Sequence, residues 1–238
     1  MLSIERENLF FIDAGNSFVK VAVSDGKSFK IVLKIETEKV KRGYFPLKGK
    51  VAVIASVVPS IDKVIKSNFE EVFSVSADLP LPLKLDYETP ETLGADRIAA
   101  ASGFLSYGKT GMVVLAGTAV VVDIVKNSIF NGGAILPGVS LMAVALGKFT
   151  EQLPDVECFL NKYPGKSTVE SIMSGIGLAV AGAVERAVKF ECMAEFPIVL
   201  TGGYANDLKQ ILRFGIVDEF LIFRGLLNIY RWNKKGGV

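Results

Sequence analysis

The sequence predicts an α/β protein made of two related halves. Short apolar or alternating segments bounded by Gly, Asn and Asp take turns with segments of helical period, the pattern of sheets covered by helices. The string Phe11-Ile12-Asp13-Ala14-Gly15-Asn16-Ser17 returns as Val113-Val114-Leu115-Ala116-Gly117-Thr118-Ala119. Each copy is an apolar strand, a turn built on Ala-Gly-polar and a second apolar strand. The copies lie far apart in the chain, which divides it into halves at residues 1–105 and 106–238. Two ordinary hairpins would read the same way, so the duplication is an expectation for the fold to answer.

The elements follow in order. Leu9–Asp13 is apolar up to its acid, and Phe18–Val23 alternates with period two. Asp25-Gly26 is a hairpin turn into a third strand, Phe29–Ile35. Val51–Val58 is an all-apolar strand stopped by Pro59, the kind that lies inside a sheet. Ser60–Phe69 carries Ile61, Val64, Ile65 and Phe69 at helical spacing, and Val72–Val75 is a short strand. Pro80, Pro82 and Pro90 mark an irregular connection. From Gly94 the period turns helical, with Ile98, Ala101 and Leu105 on one face. Met112–Leu115 and Val120–Val125 are strands, and Ile129–Phe130 pairs back before the Asn131-Gly132-Gly133 break. Helices are predicted over Ser140–Phe149, Glu170–Ala194 and near Asn206–Phe214, with a strand at Ile198–Leu200. The tail from Lys234 to Gly237 frays.

Composition narrows the chemistry. Half of the 238 residues are hydrophobic, enough for a large core and too many for a disordered chain. The longest uncharged run, 127–147, contains Pro137, several glycines and polar Asn127, Ser128 and Asn131, so it reads as buried core and not as a membrane span. Glu5, Arg6 and Glu7 stand where a secretory leader keeps its apolar stretch, which predicts a cytoplasmic protein. A net charge of +2 gives no footprint for nucleic acid. There is no histidine, which removes serine–histidine triads and histidine-ligated metals. Cys158 and Cys192 are too few for a zinc tetrahedron and read as buried small hydrophobes. Carboxylates, hydroxyls, Lys, Arg and backbone amides must carry any reaction.

Two constellations suit such a reaction. In Asp13-Ala14-Gly15-Asn16-Ser17-Phe18-Val19-Lys20, glycine lets amides turn toward a phosphate, Asn16 and Ser17 donate, and Asp13 at a strand end can hold Mg²⁺ through water. Lys20 on the returning strand has the sign to reach phosphates. A plain tight turn accounts for the same string. Gly94-Ala95-Asp96-Arg97 opens a helix, where amide dipoles favour the acid. Asp96 can accept a proton while Arg97 grips a carboxylate; an acidic first turn beside a solvated arginine is the alternative. Thr118 adds a hydroxyl in the second hairpin, with Asp123 the carboxylate of its returning strand. Gly132–Gly138 reads as a glycine-lined wall, and Thr201-Gly202-Gly203 suits an adenine or ribose face.

These strings in this order resemble the type III pantothenate kinases of the acetate kinase–Hsp70–actin superfamily. The resemblance rests on DAGNSFVK at 13–20, the stretch from Tyr87 to GADR at 94–97, GTA at 117–119 with Asp123 behind it, GGAILPG at 132–138, GKSTVESI at 165–172 and TGG at 201–203, and it covers most of the chain. It implies two ribonuclease H-like halves in an actin-like ATPase architecture with a nucleotide cleft between them. It also implies ATP- and Mg²⁺-dependent phosphorylation of pantothenate, the first step toward coenzyme A. Asp96 is then the general base. Gly94, Ala95, Asp96 and Arg97 bind pantothenate with Tyr87 and Thr168, residues 13–20 and Thr118 bind the ATP phosphates, and Asp13 serves the metal. A homodimer and a monovalent cation, potassium or ammonium, are further implications.

Three positions depart from the family pattern. Where an aspartate helps hold the monovalent cation, this chain has Leu115, and the two threonines after Gly-Thr-Ala are Val120 and Val121. Leucine offers no oxygen. The enzyme then works without that cation, finds other oxygens for it, or has become a nucleotide- or pantothenate-binding regulator that keeps the fold.

Overall fold

The computed structural model describes residues 9–156 and 162–236, so Glu5, Arg6, Glu7, Cys158 and Gly237 lie outside the described residues. The chain divides into two compact units. The first takes residues up to 106, 128–130 and from 220 onward; the second takes 107–127 and 131–219.

In the first unit, β1 (Leu9–Ala14), β2 (Phe18–Ser24) and β3 (Phe29–Glu36) form a meander, followed by a single turn, α1 (Thr37–Lys41). β4 (Gly49–Ser56), α2 (Pro59–Lys66) and β5 (Phe69–Ser74) complete a sheet of order β3-β2-β1-β4-β5. β1 is antiparallel to β2 and parallel to β4. Strands so placed are covered on both faces, hence the apolar runs Phe11-Ile12 and Ala52–Ala55. Ile12, Val19, Val21 and Ile54 pack with Ile61 and Ile65 of α2.

Of the boundaries that differ from the sequence expectation here, two have a clear physical cause. β4 stops at Ser56, because Val57 donates its N–H to Ala14 O and Pro59 takes the first helical position. Phe69 belongs to β5 and not to the helix. Asn68 closes α2 by donating from Nδ2 to Val64 O, which frees Phe69 to pair with Gly49 and pack on the Phe10 and Phe45 rings.

A short strand, β6 (Lys84–Leu85), then leads to α3 (Ala95–Phe104), which is buried along nearly its whole length.

The second unit repeats the plan. β7 (Gly111–Ala116), β8 (Ala119–Lys126) and β9 (Ile129–Pro137) precede α4 (Val139–Phe149) and α5 (Thr168–Phe190). β10 (Ile198–Thr201), α6 (Ala205–Leu212) and β11 (Ile216–Val217) follow. The strand order β9-β8-β7-β10-β11 matches that of the first sheet. β7 is antiparallel to β8 and parallel to β10, as β1 is to β2 and β4. The internal echo is therefore a duplicated fold. β9 runs through Asn131-Gly132-Gly133, where a break was expected: a Cβ at Gly133 would strike the Val122 carbonyl, so glycine lets the strand lie close against β8.

Among the described residues α5 is the one helix long and apolar enough to span a membrane. Its Ile172, Ile176, Val180 and Val184 lie in the core of the unit. It starts at Thr168, where Ser167 caps Glu170 N–H, and ends at Phe190, short of the expected Ala194. Cys192, expected to be buried, is exposed: it takes the left-handed conformation (φ 55°) that ends the helix, and Met193 turns inward instead. α6 stops at Leu212 rather than Phe214, because Arg213 (φ 61°) adopts the same terminating conformation.

A last helix, α7 (Leu221–Lys234), which the sequence reading does not assign, returns to the first unit and includes Lys234 of the supposed frayed tail. It crosses α3 with backbones nearly touching. A Cβ on Gly225 would overlap the Ala99 carbonyl, and one on Gly103 would overlap the Leu221 carbonyl. This contact seats the helix that carries Asp96.

Candidate active site

Asp13 ends β1 and faces Lys20 across the hairpin. The turn between them is held by Gly15 N–H donating to Phe18 O at 3.1 Å, with Asn16 and Ser17 exposed at its tip. Asp96 stands in the first turn of α3 and acts on Asp13: burial raises the Asp13 carboxyl to about 6, Lys20 pulls it down and Asp96 pushes it up. The Asp96 carboxyl is also raised by burial, against the opposing pull of the Arg97 N–H and the Arg97 charge. The Arg97 N–H donates to Asp96 Oδ1 at 2.8 Å, which fixes the carboxylate on the helix. The two acids singled out in the sequence thus lie near enough in the first unit to interact electrostatically.

Arg97 is only 5% exposed. Its Nη1 donates to the Tyr87 hydroxyl at 3.4 Å, and its guanidinium lies over the rings of Tyr87 (5.6 Å) and Phe130 (5.3 Å). Tyr87, Gly94, Ala95, Asp96 and Arg97 all fall in the first unit, and the solvated-arginine alternative does not hold.

In the second unit, Thr118 sits in the β7–β8 turn, closed by Gly117 N–H donating to Ala119 O. Gly138, which caps α4, donates to Thr118 O. Tyr204 donates its N–H to Ala116 O, and its hydroxyl shares a 2.7 Å hydrogen bond with the Ser140 hydroxyl. These bonds join the GTA turn, the start of α4 and the loop that follows Thr201-Gly202-Gly203. Thr168 opens α5 and is exposed. Leu115 is buried, opposite Val121 on one side and Thr201 on the other, with Val120 also buried nearby. Asp123 is buried on β8.

Among the described residues no group of three or more acids and cysteines forms a ready metal cage. Asp13 and Asp96 suit a different arrangement: Mg²⁺ is commonly held by one or two carboxylates and substrate phosphates. With a pKa of about 6, Asp13 is ionised at neutral pH and chemically suited to that ion.

Residues 9–189 match the family profile of type III pantothenate kinases. This chain belongs to that family. The type III pantothenate kinase of Aquifex aeolicus is 33% identical over 227 residues, covering 92% of this chain and 95% of that protein. Among solved structures, a Campylobacter jejuni protein described as a Baf family transcriptional activator superposes with a TM-score of 0.66 at 24% identity, over 95% of this chain and 99% of the other. A ROK hexokinase from Thermus thermophilus gives 0.50 at 13% identity, over 96% and 99%. At such identities the two structures speak for the fold alone, the two-domain actin-like ATPase fold that the duplicated sheets also display.

For this pantothenate kinase family member the sequence reading missed Phe130, which packs on Arg97 and Tyr87, and Thr37, whose hydroxyl donates to Gly15 O at 2.7 Å. Neither stands in a motif. Phe130 was visible only as a strand residue, and Thr37 only as one more threonine past a strand.

Proposed function

We propose that this chain transfers the γ-phosphoryl group of ATP to the primary hydroxyl of pantothenate, giving 4'-phosphopantothenate and ADP, the first step toward coenzyme A. The observation that carries this reading is the pairing of two half-buried acids, Asp13 and Asp96, the second of which raises the pKa of the first, beside a buried guanidinium held against two aromatic rings.

Phosphoryl transfer depends on positioning and charge neutralisation more than on covalent catalysis. Asp96 orients the pantothenate hydroxyl and takes its proton as the hydroxyl oxygen bonds to the γ-phosphorus and the bond to the β–γ bridging oxygen breaks, leaving ADP with the electron pair. Burial raises the proton affinity of Asp96, which suits a base, while the bond from Arg97 N–H opposes that rise and keeps the carboxylate aimed. Arg97 takes the pantothenate carboxylate, with Gly94, Ala95 and Tyr87 beside it in the first unit; the family resemblance assigns Thr168 to the same ligand. Residues 13–20 hold the phosphates through backbone amides and hydroxyls; the family resemblance assigns Thr118 to the same ligand. Asp13 would hold Mg²⁺. Bound Mg²⁺ supplies neutralisation of phosphate charge.

The family resemblance supports a cytoplasmic homodimer. Exposed apolar side chains on the second unit, Leu141 and Val144 on α4 and Leu178 on α5, give a second copy a surface to cover. Leu115 removes the side-chain oxygen expected for a monovalent cation, and Val120 and Val121 supply none; with the Thr201 hydroxyl as the side-chain oxygen paired opposite Leu115, turnover depends little on potassium or ammonium.

The deciding experiment incubates purified protein with MgATP and pantothenate across a potassium titration. The expected result is stoichiometric 4'-phosphopantothenate and ADP at a rate that varies less than about twofold with potassium, and no turnover from a folded Asp96→Asn variant. Absence of product at every potassium concentration favours the non-catalytic, ligand-binding reading. Strong potassium activation refutes the account of Leu115.

A further inference from the structure

Thr37 is 1% exposed at the first position of α1, and it reaches back to the β1–β2 turn through two different groups. Its Oγ1 donates to Gly15 O at 2.7 Å, and its N–H donates to Ser17 O at 3.0 Å. The residues it grips flank Asn16, the exposed tip of the turn. The hydroxyl does not serve its own helix: the N-cap of α1 is Glu36, and α1 has no side-chain cap bond.

From this geometry we infer that Thr37 is a positioning residue for the phosphates of the nucleotide. The inference rests on the phosphate-binding reading of residues 13–20. In a trans peptide the C=O and the following N–H point in opposite directions. Drawing Gly15 C=O toward Thr37 therefore turns the Asn16 N–H away from Thr37, toward the open side of the turn. A glycine-containing turn is otherwise free to flip that peptide plane and present an oxygen where a phosphate requires an N–H. The buried hydroxyl of Thr37 holds one orientation before any ligand arrives, so binding need not bear the ordering cost. The backbone bond to Ser17 would survive many substitutions at position 37; the bond to Gly15 needs a hydroxyl. This makes the side chain, and not merely the strand register, the determinant.

The test compares Thr37→Val, which keeps the branched shape and deletes the hydroxyl, with Thr37→Ser, which keeps the hydroxyl and loses the methyl. ATP binding at saturating Mg²⁺ is read by titration calorimetry on the full chain, alongside the KM values for ATP and pantothenate and the thermal midpoint. Loss of one buried hydrogen bond predicts a three- to tenfold weaker ATP affinity in Thr37→Val. The pantothenate KM stays within twofold of wild type, and Thr37→Ser recovers ATP affinity to within twofold. Equal ATP affinity in Thr37→Val and wild type overturns the inference. So does an equal loss in both variants that tracks the thermal midpoint, since packing alone would then explain it. A wild-type protein that binds no ATP removes the phosphate reading itself, and the inference with it.

Discussion

The guanidinium carbon of Arg97 lies 5.3 Å from the centroid of the Phe130 ring, which is itself fully buried. Tyr87 approaches the same guanidinium at 5.6 Å, and the two rings are 5.8 Å apart at 59°. Phe130 is tied to the Tyr87 segment by backbone as well: it pairs with Leu85, and Asp86 N–H donates to Phe130 O at 2.9 Å. The rings and the Tyr87 hydroxyl together set the orientation of the guanidinium that the proposed function aims at a carboxylate.

Replacing Phe130 by leucine should therefore loosen the aim of Arg97 without touching the phosphate turn. A desolvated cation–π contact is worth on the order of 1–2 kcal/mol, so the pantothenate KM of Phe130→Leu should rise about tenfold. The ATP KM and kcat should stay within about twofold, as steady-state kinetics with each substrate varied will show. Parallel increases in both KM values would mean that Phe130 only supports the fold.

Asp13 yields a pH prediction with a definite sign. Its carboxyl is raised from 3.8 to about 6, chiefly by burial, with the Asp96 charge adding to the rise. Between those values the folded chain retains a proton that the unfolded chain has released. The resulting stability is fully present below about pH 4 and is lost as pH rises through about 6. A rise of about two units corresponds to at most about 3 kcal/mol. Asp13→Asn, neutral throughout, should melt higher than wild type at pH 8 in the absence of nucleotide, with the gap closing toward pH 4. A gap independent of pH would contradict this. The same titration implies that wild-type kcat/KM for MgATP falls below about pH 6, where Asp13 loses the charge that attracts the metal.

Much of this was legible because it is local. Asp13-Ala14-Gly15-Asn16 and Leu115-Ala116-Gly117-Thr118 carry their own turn chemistry, and a helical period beginning at Gly94 places Asp96 at a helix start without any tertiary knowledge. What was illegible depends on neighbours distant in sequence. The sequence reading assigns nothing at Gly225, yet it is what allows α7 to rest on Ala99. Gly132 and Gly133 read as a loop, although β9 passes through them. Phe69 fits the helical spacing of α2, but Gly49 and two aromatic rings claim it for β5. Phe130 and Thr37 matter only through the residues on which they act, which no local pattern reveals.

Gly94 offers the sharpest separation of fold from chemistry. Its backbone (φ −56°, ψ 133°) is one that any residue adopts, so glycine is not required there for conformation. The constraint is space: a Cβ at this position would sit 2.6 Å from Asp96 Oδ1 and 3.5 Å from Val57 Cγ1. That same Oδ1 accepts the Arg97 N–H, so the methyl of Gly94→Ala would rotate the carboxylate off its anchor and away from the hydroxyl that the proposed mechanism has it activate. Because the displaced group is a side-chain end and not backbone, the helix can form unchanged. Gly94→Ala should keep a thermal midpoint within a few degrees of wild type and bind ATP normally, while kcat for pantothenate falls at least tenfold, since small misplacements of a catalytic group carry penalties of that size or larger. A wild-type kcat in Gly94→Ala would mean that the aim of Asp96 set by Arg97 is not what the reaction requires.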